Sequence, residues 1–318
     1  MKNEIIHTIE NILKMERVSF EDIKFLAGDA SNRKYFMIKS QNIDRVLMYD
    51  NNPESLEKFI KISNLLSGMV TVPKIFLKLK ENNILIIENF GKKKFSNIVN
   101  KTNQNSLYLL ATDALIHVHK QKFNYNFDLY DENKFTNESN LFFEWFLQED
   151  SSLKDKSKQD FNNEFKSFIN LLKNIPKVFI HRDYHVDNLF FIENKDKHFS
   201  CGWIDYQDAL IGPCVYDLVS LTQDARIDVD NKLERKIINY YLKSFGNIDP
   251  TEFEICYKVV AIQRHLKVLG IFKRLAVRDN KKNYLVHIPR VIKMLKKNLS
   301  SREFRKIFKI LIPFLNYG

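Results

Sequence analysis

The pattern of apolar and polar positions predicts an opening amphipathic helix at about residues 2–15. Five short strand-like stretches follow it within the first 88 residues. The stretches are bounded by turn residues, as strands usually are, and lie at 23–28, 34–39, 45–49, 72–79 and 84–88. One helix, at about 54–66, follows the third stretch, and Pro53 stands at its start, where proline is favoured. This pattern predicts a five-stranded antiparallel sheet with one inserted helix.

From residue 91 onward the hydrophobic pattern is mostly helical. The expected helices lie at about 104–120, 138–149, 158–173, 215–224, 231–245, 250–278, 283–298 and 301–315, and a strand-rich island occupies 178–205. The pattern therefore predicts an α+β chain with a small β lobe at 1–90 and a larger, mostly helical lobe at 91–318. A chain of 318 residues is long enough for two such lobes around one cleft.

The island carries a motif with a definite chemistry. His181-Arg182-Asp183 is followed by Asn188, which matches the kinase catalytic-loop pattern H-R-D-x-x-x-x-N. In that pattern the Asp accepts the proton of the substrate hydroxyl, and the Asn holds Mg²⁺ on the phosphates. We therefore expect Asp183 to be the catalytic base and Asn188 to be a metal ligand.

A hairpin after this loop supplies the third group. Its strand-like runs are 189–193 and 200–204, around a polar turn. If residue 193 pairs with residue 200, Asn188 stands opposite Asp205, and an amide and a carboxylate suit the oxygen preference of Mg²⁺. Turn capping is the alternative role of such residues, but the three positions together favour catalysis.

Two segments of the β lobe are candidates for binding a nucleotide. The turn at 28–32 has small residues that let the backbone approach a triphosphate, and cationic side chains follow it directly. The strand at 84–88 runs into a linker whose backbone could meet adenine. A generic hairpin turn and an ordinary strand exit are the alternatives. The candidates are Gly28, Asp29, Ala30, Ser31, Arg33, Lys34, Glu88 and Phe90.

Over about residues 20–300 the chain resembles the aminoglycoside-phosphotransferase and choline-kinase superfamily, whose fold is protein-kinase-like. The carrying segments are 28–36 and 203–218. The resemblance implies ATP and Mg²⁺ as cofactors, and it implies that Asp217 and His181 brace the catalytic loop without doing chemistry.

A narrower resemblance, on 142–146, 206–221 and 261–272, is to bacterial anomeric kinases of N-acetylmuramate and N-acetylglucosamine in cell-wall recycling. It implies transfer to the anomeric hydroxyl of an amino sugar. The candidate acceptor residues are His185, Asp208, Arg264 and His265. Core packing is the alternative for His185, Arg264 and His265, and His185 could also orient the catalytic loop.

One position departs from the kinase pattern. Met48 stands on the third strand where a phosphate-binding Lys is expected. Arg33 and Lys34 are the nearest cations that could replace it. The departure leaves a non-catalytic nucleotide-binding protein as an alternative to a kinase for an amino sugar, aminoglycoside, choline or homoserine.

Composition narrows these choices slightly. The net charge of +11 comes from scattered Lys and Arg, without the interleaved basic and aromatic pattern of a nucleic-acid binder. A basic chain also suits a polycationic aminoglycoside poorly. Three distant cysteines, no signal peptide and no long apolar run predict a cytoplasmic protein without a membrane segment. No protein partner is implied, and the choice of ATP or GTP and the oligomeric state stay open.

Overall fold

The computed structural model describes residues 2–28, 33–147, 151–246 and 248–316. It divides into two compact units. The first unit comprises Met1–Ile98 and Asn188–Asp208, and the second comprises Val99–Asp187 and Ala209–Gly318. The segment 188–208, predicted to belong to the helical lobe, thus groups with the β-rich N-terminal part.

The N-terminal part of the first unit contains the predicted sheet. Its elements are α1 (Lys2–Met15), β1 (Asp22–Ala27), β2 (Arg33–Ser40), β3 (Ile43–Asp50), α2 (Pro53–Leu66), β4 (Ile75–Leu79), β5 (Ile84–Ile87) and α3 (Phe95–Ile98). The strands are antiparallel in the order β1-β2-β3-β5-β4. The five-stranded antiparallel sheet with one inserted helix is therefore confirmed.

Apolar side chains from α1 and from one face of the sheet form the core of this part. The core is made of Ile9, Leu13, Ile23, Phe36, Ile38, Leu47, Ile84 and Ile86. Helix α2 begins at Pro53 because Asn52 caps it, accepting the backbone N–H groups of Glu54 and Ser55. Strand β4 begins at Ile75 and not at Val72 as expected, since Pro73 has no N–H to donate to a sheet.

The elements that follow lead from helices into the strand-rich island. They are α4 (Gln104–His119), α5 (Glu132–Leu141), α6 (Ser151–Leu171), β6 (Lys177–Ile180), β7 (Leu189–Phe191), β8 (Cys201–Trp203) and β9 (Leu210–Pro213). Strands β7 and β8 form the hairpin of the first unit, whereas β6 pairs with β9 in the second. The helix expected at 138–149 is wrong in its bounds. Helix α5 ends at Leu141 and a π-helical turn, Phe142–Phe146, follows it.

The C-terminal part is helical, as predicted. It contains α7 (Tyr216–Thr222), α8 (Asn231–Phe245), α9 (Pro250–Arg278), α10 (Ile288–Leu299) and α11 (Arg305–Leu311). Helix α10 begins later than expected because Pro289 occupies its first turn, and 3₁₀ turns flank α11. The long helix α9 is the centre of the second unit, since its residues pack against α5, α7 and α10. None of the described helices is long and apolar enough to cross a lipid bilayer.

Candidate active site

The catalytic loop of the second unit follows β6 and is anchored by Asp217 of α7. The buried carboxylate of Asp217 accepts the backbone N–H groups of both His181 and Arg182. Arg182 has a left-handed backbone (φ 74°), which is unfavourable for a long side chain and persists only where neighbours enforce it. Asp217 thus fixes the two residues that precede Asp183.

Asp183 lies in a strongly positive environment. Burial alone would raise the pKa of its carboxyl, but the charges of Lys267, His185, Arg264 and Arg182 outweigh burial and lower the pKa to about 2. Asp183 is therefore ionised at neutral pH. An ionised carboxylate can accept a hydrogen bond from a substrate hydroxyl and so orient its oxygen for attack.

A buried ionic network supports this loop, and sequence reasoning did not find it. The carboxylate of Glu138 on α5 accepts Arg182 Nη2 at 2.5 Å and lies 2.9 Å from Lys267 Nζ on α9. Tyr130 also donates its hydroxyl to Glu138. The signal that could have indicated this network was a lysine within the otherwise apolar stretch 266–272. Because an unpaired buried charge is costly, these partners hold one another in place.

The metal-ligand candidates of the first unit stand at the open end of the β7–β8 hairpin. Leu189 pairs with Trp203, and Ile204 donates its N–H to the carbonyl of Asn188. Asn188 therefore stands opposite Ile204, and the predicted pairing of Asn188 with Asp205 is wrong by one residue. A 3₁₀ turn at Lys197–Ser200, with left-handed Asn194 and Lys197, takes up the difference.

The chemistry of this pair fits Mg²⁺. Asp205 has a left-handed backbone (φ 64°), and its Oδ1 accepts Gln207 Nε2 at 3.0 Å, while Asn188 is largely buried. Across the described ranges no cluster of three or more His, Cys, Asp or Glu residues could hold a metal. Mg²⁺ often takes only one or two protein oxygens and completes its shell with phosphates and water, so an amide and a carboxylate suffice.

The structure describes some of the nucleotide-binding candidates near the β-sheet and not others. Gly28 has φ 149°, and an added Cβ would lie 3.0 Å from the carbonyl oxygen of Arg33, so glycine is required there. Asp29, Ala30 and Ser31 lie outside the described residues. Arg33 is buried at the start of β2.

The two candidates after β5 have protein partners. The N–H of Glu88 donates to the carbonyl of Lys74, and its carboxylate accepts the N–H of Lys74. The ring of Phe90 meets that of Phe190 edge to face and covers Gly202 of the hairpin. Both residues thus connect the end of β5 to neighbouring residues of the same unit.

Three of the four acceptor candidates line one cavity of the second unit. The cavity holds roughly 300 Å³ of space, open solvent included, and is lined by His185, Ser220, Gln223, Asp224, Ala225, Arg226, Arg264, His265, Val268 and Val291. His265 Nε2 lies 2.7 Å from Gln223 Oε1, and Arg264 donates to the carbonyl of Arg182. The fourth candidate, Asp208, is exposed and belongs to the first unit.

Comparison with known proteins shows which family the chain belongs to. A model of the phosphotransferase enzyme family matches residues 22–253, which is most of the chain. The chain belongs to the phosphotransferase enzyme family. This phosphotransferase is 32% identical over 290 residues to the N-acetylmuramate/N-acetylglucosamine kinase of Pseudomonas aeruginosa, covering 87% of this chain and 83% of the relative. It is 31% identical to the kinase of the same name from Neisseria meningitidis serogroup B, covering 92% and 91% of the two chains.

A solved structure confirms the predicted fold. The ADP-bound aminoglycoside phosphotransferase APH(2'')-Ib superposes with a TM-score of 0.64 at 14% identity, covering 93% of this phosphotransferase and 98% of that chain. The fold is thus protein-kinase-like. Together with the family and the kinase relatives, it makes this chain a small-molecule kinase that transfers a phosphoryl group to a hydroxyl.

Proposed function

We propose that this phosphotransferase transfers the γ-phosphoryl group of ATP to the anomeric hydroxyl of an amino sugar, N-acetylmuramate or N-acetylglucosamine, in the cytoplasm. The observation that carries the proposal is the Asp217-braced loop that holds an ionised Asp183 among cations. The acceptor is suggested by the names of the relatives at 31–32% identity.

The chemical roles follow from these side chains. Asp183 orients the acceptor hydroxyl and accepts its proton as the hydroxyl oxygen bonds to the γ-phosphorus, while the bond from that phosphorus to the bridging oxygen breaks and ADP leaves. Asn188 and Asp205 are the proposed ligands of Mg²⁺, which when bound neutralises charge on the phosphates and orients the transferred group. The protein otherwise contributes by positioning its substrates. For the nucleotide we keep Gly28, Asp29, Ala30, Ser31, Arg33, Lys34, Glu88 and Phe90 as contacts.

The low pKa of Asp183 suits an anomeric acceptor. Asp183 is ionised, and a carboxylate accepts a proton most easily from a hydroxyl that gives its proton up readily. The anomeric hydroxyl is more acidic than the other sugar hydroxyls because the ring oxygen withdraws electron density. We keep His185, Asp208, Arg264 and His265 as candidate contacts of the sugar.

Other acceptors fit the same charges less well. Lys267, Arg264 and Arg182 lie near Asp183, and Glu138 neutralises part of their charge. The remaining positive charge is less favourable for an aminoglycoside polycation or the ammonium group of choline than for a neutral acceptor or for the carboxylate of N-acetylmuramate. A non-catalytic nucleotide-binding protein, suggested by Met48, is the remaining alternative, and the retained Asp183 speaks against it.

An acceptor panel tests the proposal. Magnesium-dependent ADP release is measured with N-acetylmuramate, N-acetylglucosamine, kanamycin, choline and homoserine, each with ATP and with GTP. The matched control is the methyl glycoside of N-acetylglucosamine, whose anomeric oxygen cannot accept a phosphoryl group. We expect turnover with the two free sugars and none with the glycoside. Turnover of the glycoside would overturn the anomeric assignment, and turnover with kanamycin alone would overturn the amino-sugar assignment.

A further inference from the structure

The position of the missing phosphate-binding lysine is occupied by a fully buried side chain. Met48 on β3 pairs with Tyr35 on β2. Side chains alternate between the two faces of a sheet, so residues two positions away share a face. The next cross-strand pair on the same face is Arg33 with Asp50. A cation therefore lies one pair farther along the face that carries Met48.

Arg33 is fixed in one orientation by neighbours of the same unit. Its Nε donates to Asp50 Oδ2 at 2.9 Å, and its Nη2 donates to Ser55 Oγ at 2.5 Å. The side chains of Arg33 and Asp50 are only 6% and 3% exposed. Burial alone would lower the pKa of Arg33, but Tyr35 and Asp50 outweigh burial and keep it above the ordinary value. The guanidinium is thus charged, and Asp50 and Ser55 hold it in place.

Nη1 of the guanidinium lies on the side of a proposed metal ligand. Arg33 Nη1 lies 3.9 Å from Asp205 Oδ1. A nucleotide phosphate bound beside Asp205 would lie near this nitrogen. A planar guanidinium suits phosphate because it presents several N–H groups in a rigid fork.

We propose that Arg33, held by Asp50 and Ser55, is the cation that binds the nucleotide phosphates in place of the missing lysine. This inference rests on the proposed function, and it decides between the two nearest cations. Lys34 pairs with Tyr49, so its side chain projects from the opposite face of the sheet. Asp50 takes the part of the carboxylate that pairs with the lysine in protein kinases.

The test compares a ligand that has phosphates with one that lacks them. Calorimetry measures binding of ADP with Mg²⁺, and of adenosine, to the wild type, Arg33→Met and Lys34→Met. Arg33→Met should weaken ADP binding about tenfold or more, the value of one charge-assisted hydrogen bond, and leave adenosine binding unchanged. Lys34→Met, which tests the other candidate cation, should weaken ADP binding less than Arg33→Met does. Lys39→Met, measured as the matched control at the far end of β2, should leave both unchanged. Adding Met48→Lys to Arg33→Met should restore part of the ADP affinity.

The outcomes separate this inference from the proposed function. A wild type that does not bind ADP would overturn both. Wild-type binding that survives Arg33→Met, or equal losses for ADP and adenosine, would overturn this inference alone. Arg33→Met leaves Asp50 buried without its cation, which is destabilising. The double variant Arg33→Met with Asp50→Asn removes that charge, and the same difference between ADP and adenosine is expected from it.

Discussion

Asp217 Oδ1 accepts the backbone N–H of Arg182 at 3.0 Å, and its second carboxylate oxygen accepts the N–H of His181. One buried side chain of α7 thereby fixes the backbone directly before Asp183. When ionised, the carboxylate has only acceptor atoms, so it can accept both N–H groups at once. A loop whose second residue has φ 74° depends on such bonds to keep its shape.

Asp217→Asn should therefore reduce catalysis more than nucleotide binding. The amide nitrogen would face a backbone N–H, so one hydrogen bond is lost, and bonds to charged acceptors contribute about 1.5–3 kcal/mol. We expect kcat to fall roughly tenfold or more, since this energy corresponds to about that factor in rate. ADP affinity, measured by calorimetry, should stay unchanged.

The control for this variant is another Asp→Asn exchange on the same unit. Asp230 caps α8 through its side chain, accepting the N–H groups of Lys232 and Leu233. Asn caps helices about as well as Asp, so Asp230→Asn should leave kcat and stability unchanged. An Asp217→Asn enzyme with wild-type kcat would show that the loop does not need this anchor.

Asp183→Ala should abolish turnover and leave nucleotide binding largely intact. General base catalysis typically contributes about 10²–10⁴-fold in rate, and the hydroxyl also loses its orientation. Single-turnover measurements with excess enzyme isolate the chemical step from product release. Turnover within about tenfold of wild type would exclude Asp183 as the base, because the loss of a general base costs more than that.

Local sequence patterns predicted the helices and strands of this fold better than the turns and strand registers that connect them. The boundaries of α1 and the insertion of α2 among five strands followed from hydrophobic period and from Pro53, which are properties of neighbouring residues. The register of the hairpin that carries Asn188 did not follow, because it depends on how the turn before Cys201 uses left-handed residues.

The candidate site was predictable to a similar degree. The motif containing Asp183 is local, whereas the pairing of Glu138 with Lys267 joins helices 129 positions apart in the chain, as their numbering shows. No periodicity indicates which buried carboxylate meets which buried cation. The π-helical turn after Leu141 is likewise unpredicted, and it lies where α9 approaches closely.

Buried neutral histidines should make the protein lose stability in mild acid. Burial lowers the pKa of both His119 and His265 to about 3. An unfolded chain binds a proton at each histidine below about pH 6.5, whereas the folded chain does not, so the free energy of unfolding falls as pH decreases from about 6.5 towards 3. At pH 5 each of these two histidines should lower the free energy of unfolding by about 2 kcal/mol relative to neutral pH.

Replacing one of these histidines tests the pH dependence. His265→Gln removes a titrating group, so its loss of stability between pH 7 and pH 5 should be smaller than that of wild type in urea unfolding. Burial raises the pKa of Asp217 to about 7, so this residue makes the free energy of unfolding increase as pH falls below about 7. Because this effect is opposite to that of the histidines, the variant is compared with wild type. His7→Gln on the exposed face of α1 is the control. Equal slopes for His265→Gln and wild type would contradict a buried neutral imidazole.

Gly270→Ala should destabilise the second unit, although alanine is the better helix former. An added Cβ would lie 2.3 Å from the carbonyl oxygen of Leu141, where no backbone atom can move away cheaply. Overpacking costs about 1–3 kcal/mol, which exceeds the gain of about 1 kcal/mol in helix propensity. Urea unfolding should show the loss, while Val277→Ala, at a site 64% exposed on the same helix, should change little.

The same substitution should also lower kcat, through α5. Leu141 ends the helix that carries Glu138, and Glu138 contacts both Arg182 of the catalytic loop and Lys267 of α9. A shift of α5 away from α9 therefore moves the groups that hold Asp183 in its positive environment. We expect kcat for the best acceptor to fall while ADP affinity in calorimetry is retained. A Gly270→Ala enzyme of wild-type stability and kcat would mean that α5 and α9 do not pack this closely in solution.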